Sequence, residues 1–124
     1  MKKDLAYHDF VLYDLMARLP NITSRPMMSG WCIYSDKIPF AAIIENELYI
    51  KAKSISVSRQ KNNPPSYQLA EKFLKEGWVQ FSYMKSNEKC IRMCYWKVPD
   101  DIIDNPNLLC EVAEIAIQEA SERA

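Results

Sequence analysis

The stretch Phe40-Ala41-Ala42-Ile43-Ile44 constrains this chain most, because it sets five consecutive apolar residues between two turn-forming pairs, Asp36-Lys37 and Glu45-Asn46. A strand with one wet face alternates polar and apolar residues, so a short unbroken run predicts a strand covered on both faces. Such a strand belongs in the interior of a sheet. On either side lie Trp31 to Ser35 and Glu47 to Lys51, both rich in strand-forming residues. With two-residue turns between them, the three stretches read as an antiparallel meander.

The remaining elements follow from periodicity and punctuation. Leu5, Leu12, Leu15, Met16 and Leu19 recur at helical spacing after Asp4, a good cap, until Pro20-Asn21 stops the pattern. From Ala52 to Pro65 no period is visible, an unusually long connection for a compact domain. Ser66 is placed to cap a second helix that turns Leu69, Ala70, Phe73 and Leu74 to the core and ends at Gly77. Val79 to Met84 and Cys90 to Val98 then read as a hairpin joined by residues 85–89. Pro99-Asp100-Asp101 signals a short helical turn, and Asn105-Pro106 starts a long last helix. The expected fold is α+β, in two layers, with an antiparallel five-stranded sheet and the order α-β-β-β-α-β-β-α.

At 124 residues the chain is expected to form one domain, residues 1–124. No apolar run approaches the roughly 20 residues that cross a bilayer, and Met1-Lys2-Lys3-Asp4 does not lead into a secretory segment, so the expectation is a cytoplasmic protein with reduced thiols. Formal net charge is zero, which argues against a protein whose main task is neutralising phosphates. The charges are segregated, however. Lys51 to Arg92 holds nine basic and three acidic residues, whereas Val98 to Ala124 holds one basic and seven acidic. Either the acidic last helix offsets the basic middle within the molecule, or that middle meets an acidic partner.

Catalytic and metal motifs are absent from the sequence. Cys90 and Cys94, four apart on one extended strand, would hold their Cα atoms about 13 Å apart, too far for one zinc ion or a disulfide. His8 is the only histidine and falls in the apolar stripe of the first helix, so it reads as a buried residue hydrogen-bonded to a neighbour rather than a general base. No cofactor, metal site or catalytic residue is expected. The aromatic residues Trp31, Tyr34, Tyr49, Tyr83, Tyr95 and Trp96 fall on strands, as strand propensity alone would place them. At 100° per residue the last helix carries apolar residues over more than half its circumference. One flank, around Cys110 and Ile117, is therefore either covered by the first helix or free to meet a partner or a second copy.

The segment Arg25-Pro26-Met27-Met28-Ser29-Gly30-Trp31-Cys32-Ile33-Tyr34 resembles the signature of the TfoX N-terminal domain family. Phe40-Ala41, Leu48-Tyr49-Ile50-Lys51, Phe81-Ser82-Tyr83, Tyr95-Trp96-Lys97-Val98-Pro99 and Asp104-Asn105-Pro106 continue the resemblance in the same order. Met28, Ser29 and Cys32 depart from the pattern, and residues 52–66 look like an insertion. The resemblance implies a secretion-chaperone-like α+β fold. It also implies a non-enzymatic regulator of competence and DNA-uptake genes that acts on transcription through a protein partner such as the cyclic-AMP receptor protein. Candidate binding residues are Arg25, Met27, Gly30, Tyr34, Lys51 and Tyr83, with Cys110 and Ile117 as candidate interface residues of a possible homodimer. The competing readings are a small-ligand or thiol-dependent enzyme with a pocket near Arg25, Tyr34 and Tyr83, and direct nucleic-acid binding through the basic middle, including Lys53 to Lys61. Membrane binding is not expected.

Overall fold

The computed structural model describes residues 5–27, 30–52, 68–84 and 90–122, with the backbone alone at 68, 83–84, 90–93 and 122. The strands are β1 (Ile22–Met27), β2 (Gly30–Ser35), β3 (Ile38–Ile44), β4 (Glu47–Lys51), β5 (Val79–Met84) and β6 (Cys90–Lys97). The helices are α1 (Leu5–Asp9), which runs on as a π-helical turn over Phe10–Leu15, then α2 (Gln68–Lys75), α3 (Asp100–Ile103) and α4 (Pro106–Glu122). All the strands form one sheet in the order β1-β2-β3-β4-β6-β5, and every neighbouring pair is antiparallel. No helix among the described residues is long and apolar enough to cross a membrane.

Among the described residues the sheet has six strands rather than five. The missed one, Ile22-Thr23-Ser24-Arg25-Pro26-Met27, is an edge strand with no buried residue, so burial imposes no apolar period on it. Pro26 is tolerated there because an edge strand leaves alternate N–H groups without a ladder partner.

The meander forms as expected and with the expected turns. Asp36 and Lys37 have φ of 49° and 71°, and Glu45 and Asn46 have φ of 51° and 63°. Positive φ at both central residues is the turn whose twist matches a two-residue hairpin. β3 lies inside the sheet; its last five residues are buried, and the last four alternate between the two faces. Ala41 and Ile43 join the main core, whereas Ala42 and Ile44 join a second cluster with Tyr49 and Tyr95. The strict alternation fails at Phe40, which also lies in the main core, because the β2–β3 register slips by one residue between Ile33 and Tyr34.

The helices pack on one face. Val11, Leu12, Leu15 and Met16 from the first helical segment meet Leu109, Cys110, Val112, Ala113 and Ala116 of α4 and Trp31, Ile33, Leu48 and Ile50 of the sheet. The π turn, closed by Met16 N–H to Val11 carbonyl at 2.9 Å, brings both adjacent pairs inward. Leu5, expected in this stripe, is exposed.

α2 ends as its sequence dictates. Gly77 takes φ of 82°, Gly77 N–H donates to Leu74 carbonyl at 3.2 Å, and Trp78 N–H donates to Phe73 carbonyl at 2.9 Å. This pair of bonds satisfies the last carbonyls of the helix and brings the residue after glycine back onto the last turn. Trp78 stacks on Phe73 with ring centroids 3.9 Å apart and planes at 5°. Trp96 closes the group, its indole N–H donating to Ala52 carbonyl at 2.8 Å. Leu74, expected to face the core, points outward with 68% of its surface exposed. The Ser66 cap and the 85–89 connection lie outside the described residues. At α4, Asn105 Oδ1 accepts from Leu108 N–H at 3.3 Å, the expected cap with Pro106 in the first turn.

α4 corrects one expectation about its flanks. Cys110 is 1% exposed, and its thiol donates to Leu15 carbonyl at 3.2 Å, so the first helical segment covers this side. Ile117 packs against the same core. Leu108 and Ile115 are the apolar residues that α4 leaves exposed. The projection identified an excess of apolar surface, but it could not say which flank the first helix would occupy.

Gly30 and Gly77 make opposite demands. A Cβ on Gly30 would lie 1.6 Å from Ile43 carbonyl oxygen, whereas one on Gly77 would meet nothing within 4 Å. Gly30→Ala must force β2 from β3, and we expect a loss of at least about 3 kcal/mol, at the upper end of overpacking costs. Gly77→Ala has only its left-handed backbone to accommodate, so about 1–2 kcal/mol is expected. Urea unfolding of the two variants beside the unaltered chain checks both magnitudes and their order.

Candidate functional site

Strand pairing determines which of the candidate residues share a face. Arg25 pairs with Cys32, Cys32 with Ala42, Ala42 with Tyr49, and Tyr49 with Lys97. Directly paired residues point the same way, so this row crosses the sheet on the face opposite the main core. A second row runs Met27, Gly30, Ile44 and Glu47, and Lys51 pairs with Tyr95 beyond the first. Two residues from Cys32, Tyr34 joins the same side. Arg25, Met27, Tyr34 and Lys51 therefore lie together on this second face. Its buried centre is Ala42, Ile44, Tyr49 and Tyr95, with Met27 and Phe81 packed against it.

The four residues line a surface rather than a small cavity. Arg25 on β1 and Lys51 on β4 are three strands apart, roughly 15 Å at ordinary strand spacing. Tyr83 is on β5, at the far edge, and its side chain lies outside the described residues. Tyr34 on β2 is four strands from β5, so a single pocket built from Arg25, Tyr34 and Tyr83 has no common location. Gly30 contributes no side chain to the face, and its place is set by the approach of β3. Lys53 to Lys61 lies outside the described residues.

Local chemistry on this face is phenolic and cationic. The Arg25 guanidinium carbon lies 5.8 Å from the Tyr34 ring centroid, within cation–π range. Tyr34 has its pKa raised by a hydrogen bond and charge interaction with Cys32, partly countered by Arg25. Tyr95 hydroxyl lies 4.0 Å from Cys32 Sγ, and burial pushes its ionisation well above the ordinary range, helped by the Cys32 thiol. Tyr49 donates to Glu47 Oε2 at 3.4 Å and packs edge-on to Phe81 with centroids 5.4 Å apart. Burial first, and then the Glu47 carboxylate, push Tyr49 up to about 12. Lys97 Nζ meets Glu47 Oε1 at 2.9 Å, which raises the lysine pKa in turn. Neutral phenols and charged Lys97 thus coexist at neutral pH, with Glu47 accepting from both Tyr49 and Lys97.

Sequence reasoning missed Cys32, Tyr49, Tyr95, Glu47 and Lys97 as members of this group. The available signal was the period of two running through Cys32-Tyr34 and through Tyr49-Lys51, but only the register shows that these separate pairs coincide. His8, by contrast, is 8% exposed and hydrogen-bonded, with Nδ1 2.9 Å from Asp9 Oδ1 and Nε2 2.7 Å from Ser24 Oγ. The partner at Nδ1 is Asp9, the next residue, and the bond to Ser24 ties α1 to β1. Cys90 and Cys94 both lie on β6, the extended strand expected for them. Among the described residues no three His, Cys, Asp or Glu side chains are close enough to hold a metal ion.

Fold and face together define an α+β protein on an open antiparallel sheet, with helices on one side and a phenol-rich, cation-edged surface on the other. The family model described as the TfoX N-terminal domain matches residues 14–120, and the chain belongs to that family. A search of curated proteins finds no match.

The raised phenol pKa values link stability to alkaline pH. A group whose folded pKa exceeds its unfolded value stabilises the fold below the unfolded pKa, here near 10, and loses that contribution as pH rises toward the folded value. We expect the urea midpoint to fall between pH 10 and about 12 as Tyr49 ionises. Absorbance at 295 nm will show native ionisation lagging behind that of the unfolded chain, whose seven tyrosines titrate near pH 10. Tyr49→Phe should shrink the lag.

Proposed function

We propose that this chain is a non-enzymatic regulatory or adaptor domain that works through protein contacts made by the second face of its sheet. The observation that carries the reading is the gathering of Arg25, Met27, Tyr34 and Lys51, separated in sequence, around one apolar and phenolic centre. Arg and Tyr supply the binding energy of many protein interfaces because they combine broad contact area with fixed hydrogen-bond geometry. Membership of the TfoX N-terminal domain family supports a role in competence and DNA-uptake gene expression. In this reading the partner belongs to the transcription machinery, for which the cyclic-AMP receptor protein is the first candidate, and the setting is the cytoplasm. Arg25 and Lys51 favour an acidic surface on that partner.

A crosslinking pull-down from cell extract tests this directly. The paired change Arg25→Glu with Tyr34→Ala affects one exposed and one half-buried side chain, and the double variant should keep the circular dichroism of the unaltered chain. Capture of the partner should fall by at least about tenfold, in keeping with truncation of anchoring residues. Undiminished capture by the double variant would move the interface off this face. Recovery of nucleic acid with no protein would end the adaptor reading altogether.

A further inference from the structure

Asp9, His8 and Ser24 form a hydrogen-bonded series that the sheet face does not use. Asp9 Oδ1 lies 2.9 Å from His8 Nδ1, and His8 Nε2 lies 2.7 Å from Ser24 Oγ. A carboxylate only accepts, so the imidazole proton belongs on Nδ1 and Nε2 is left to accept from the Ser24 hydroxyl. That tautomer is the one a general base for serine needs. The Trp31 ring, its centroid 4.6 Å from that of His8, packs against the imidazole, and His8 is buried while Ser24 is only half-buried.

The backbone at Ser24 adds a second requirement of such chemistry. β1 is an edge strand, and Pro26, which has no N–H, pairs with Trp31. A proline is accommodated in a ladder where N–H groups point away from the neighbour, and that direction recurs every second residue. Ser24, two residues earlier, therefore turns its own N–H to the free edge. A carbonyl group lying along that edge would find an N–H donor on the residue that carries the hydroxyl, the arrangement that stabilises a developing oxyanion.

We propose that Ser24 is an acyl-accepting nucleophile, with His8 as its general base and Asp9 as the residue that positions His8. The donor class is an ester or thioester presented along the β1 edge. Ser24 Oγ bonds to the carbonyl carbon while the bond from that carbon to the donor's oxygen or sulfur breaks. The hydroxyl proton passes to His8 Nε2 and on to the departing alkoxide or thiolate. One acyl group is taken up per chain, so the step modifies the protein rather than turning over substrate. It stands independently of the regulatory reading, since none of the three residues belongs to the sheet face described above.

A fluorophosphonate probe tests the proposal on the full chain, its phosphorus standing in for the acyl carbon and fluoride for the leaving group. Peptide mass mapping should locate the adduct on Ser24, with exposed Ser82 unmodified. His8→Gln should slow labelling by about 100-fold, the lower range for loss of a general base. Asp9→Asn changes an exposed residue and is expected to leave the fold intact. An Asn amide can donate to Nδ1 and so shift the proton to Nε2, and labelling should fall by about tenfold or more. Absence of a Ser24 adduct on the folded chain overturns the proposal, as does labelling of the folded Asp9→Asn variant at the unaltered rate. Circular dichroism of each variant identifies the folded ones, and Asp9→Asn decides the matter where His8→Gln does not fold.

Discussion

Burial of β3 on both faces is the constraint on which the rest of this structure depends. A strand whose alternate residues all leave water needs apolar partners above and below, and here these are the helices on one side and a cluster of tyrosines on the other. Gly30 makes the arrangement possible at the backbone level. With Ile43 carbonyl where a Cβ would stand, β2 and β3 come together at a distance that no other residue permits. Tight two-residue turns on either side of β3 then bring its neighbours into register, and the register decides which side chains meet on each face.

The two faces differ in what they bury. On the helix side, large rings lock against one another, with Phe73 between Trp78 and Trp96, and the end of α2 is shaped so that Trp78 returns to this group. Loss of Phe73 would remove the ring against which both indoles pack and open a cavity in the main core. The opposite face holds polar atoms in apolar surroundings: phenols kept neutral by burial, a thiol among them, and cations at its margin. Such buried phenols stabilise the fold while they stay neutral and lose that contribution as they ionise.

Much of this was legible in the sequence because local physics governs it. The turns at Asp36-Lys37 and Glu45-Asn46, the cap at Asn105 and the stop at Gly77 each depend on a few adjacent residues. β1 was not legible, since an edge strand buries too little to impose a pattern. The outward direction of Leu74 was not legible either, and the covering of Cys110 by the first helix stood as one of two alternatives. Both depend on which neighbour arrives, and a helical projection contains no information about neighbours.

The same boundary runs through the candidate site. Arg25, Met27, Tyr34 and Lys51 stood out one at a time, but their common face is a property of pairing between strands up to 26 positions apart, Arg25 to Lys51. His8 was recognised from its helical stripe as a buried, hydrogen-bonded residue. Its alignment between Asp9 and Ser24 arises only when α1 is laid over β1. By itself the sequence determined the element types, the turns and the two-sided strand, because short-range sterics and the hydrophobic effect act through residues close in the chain. The tertiary structure alone decided the sixth strand, the covered flank of α4 and the company each polar group keeps, because those depend on surfaces that meet only once the chain has folded.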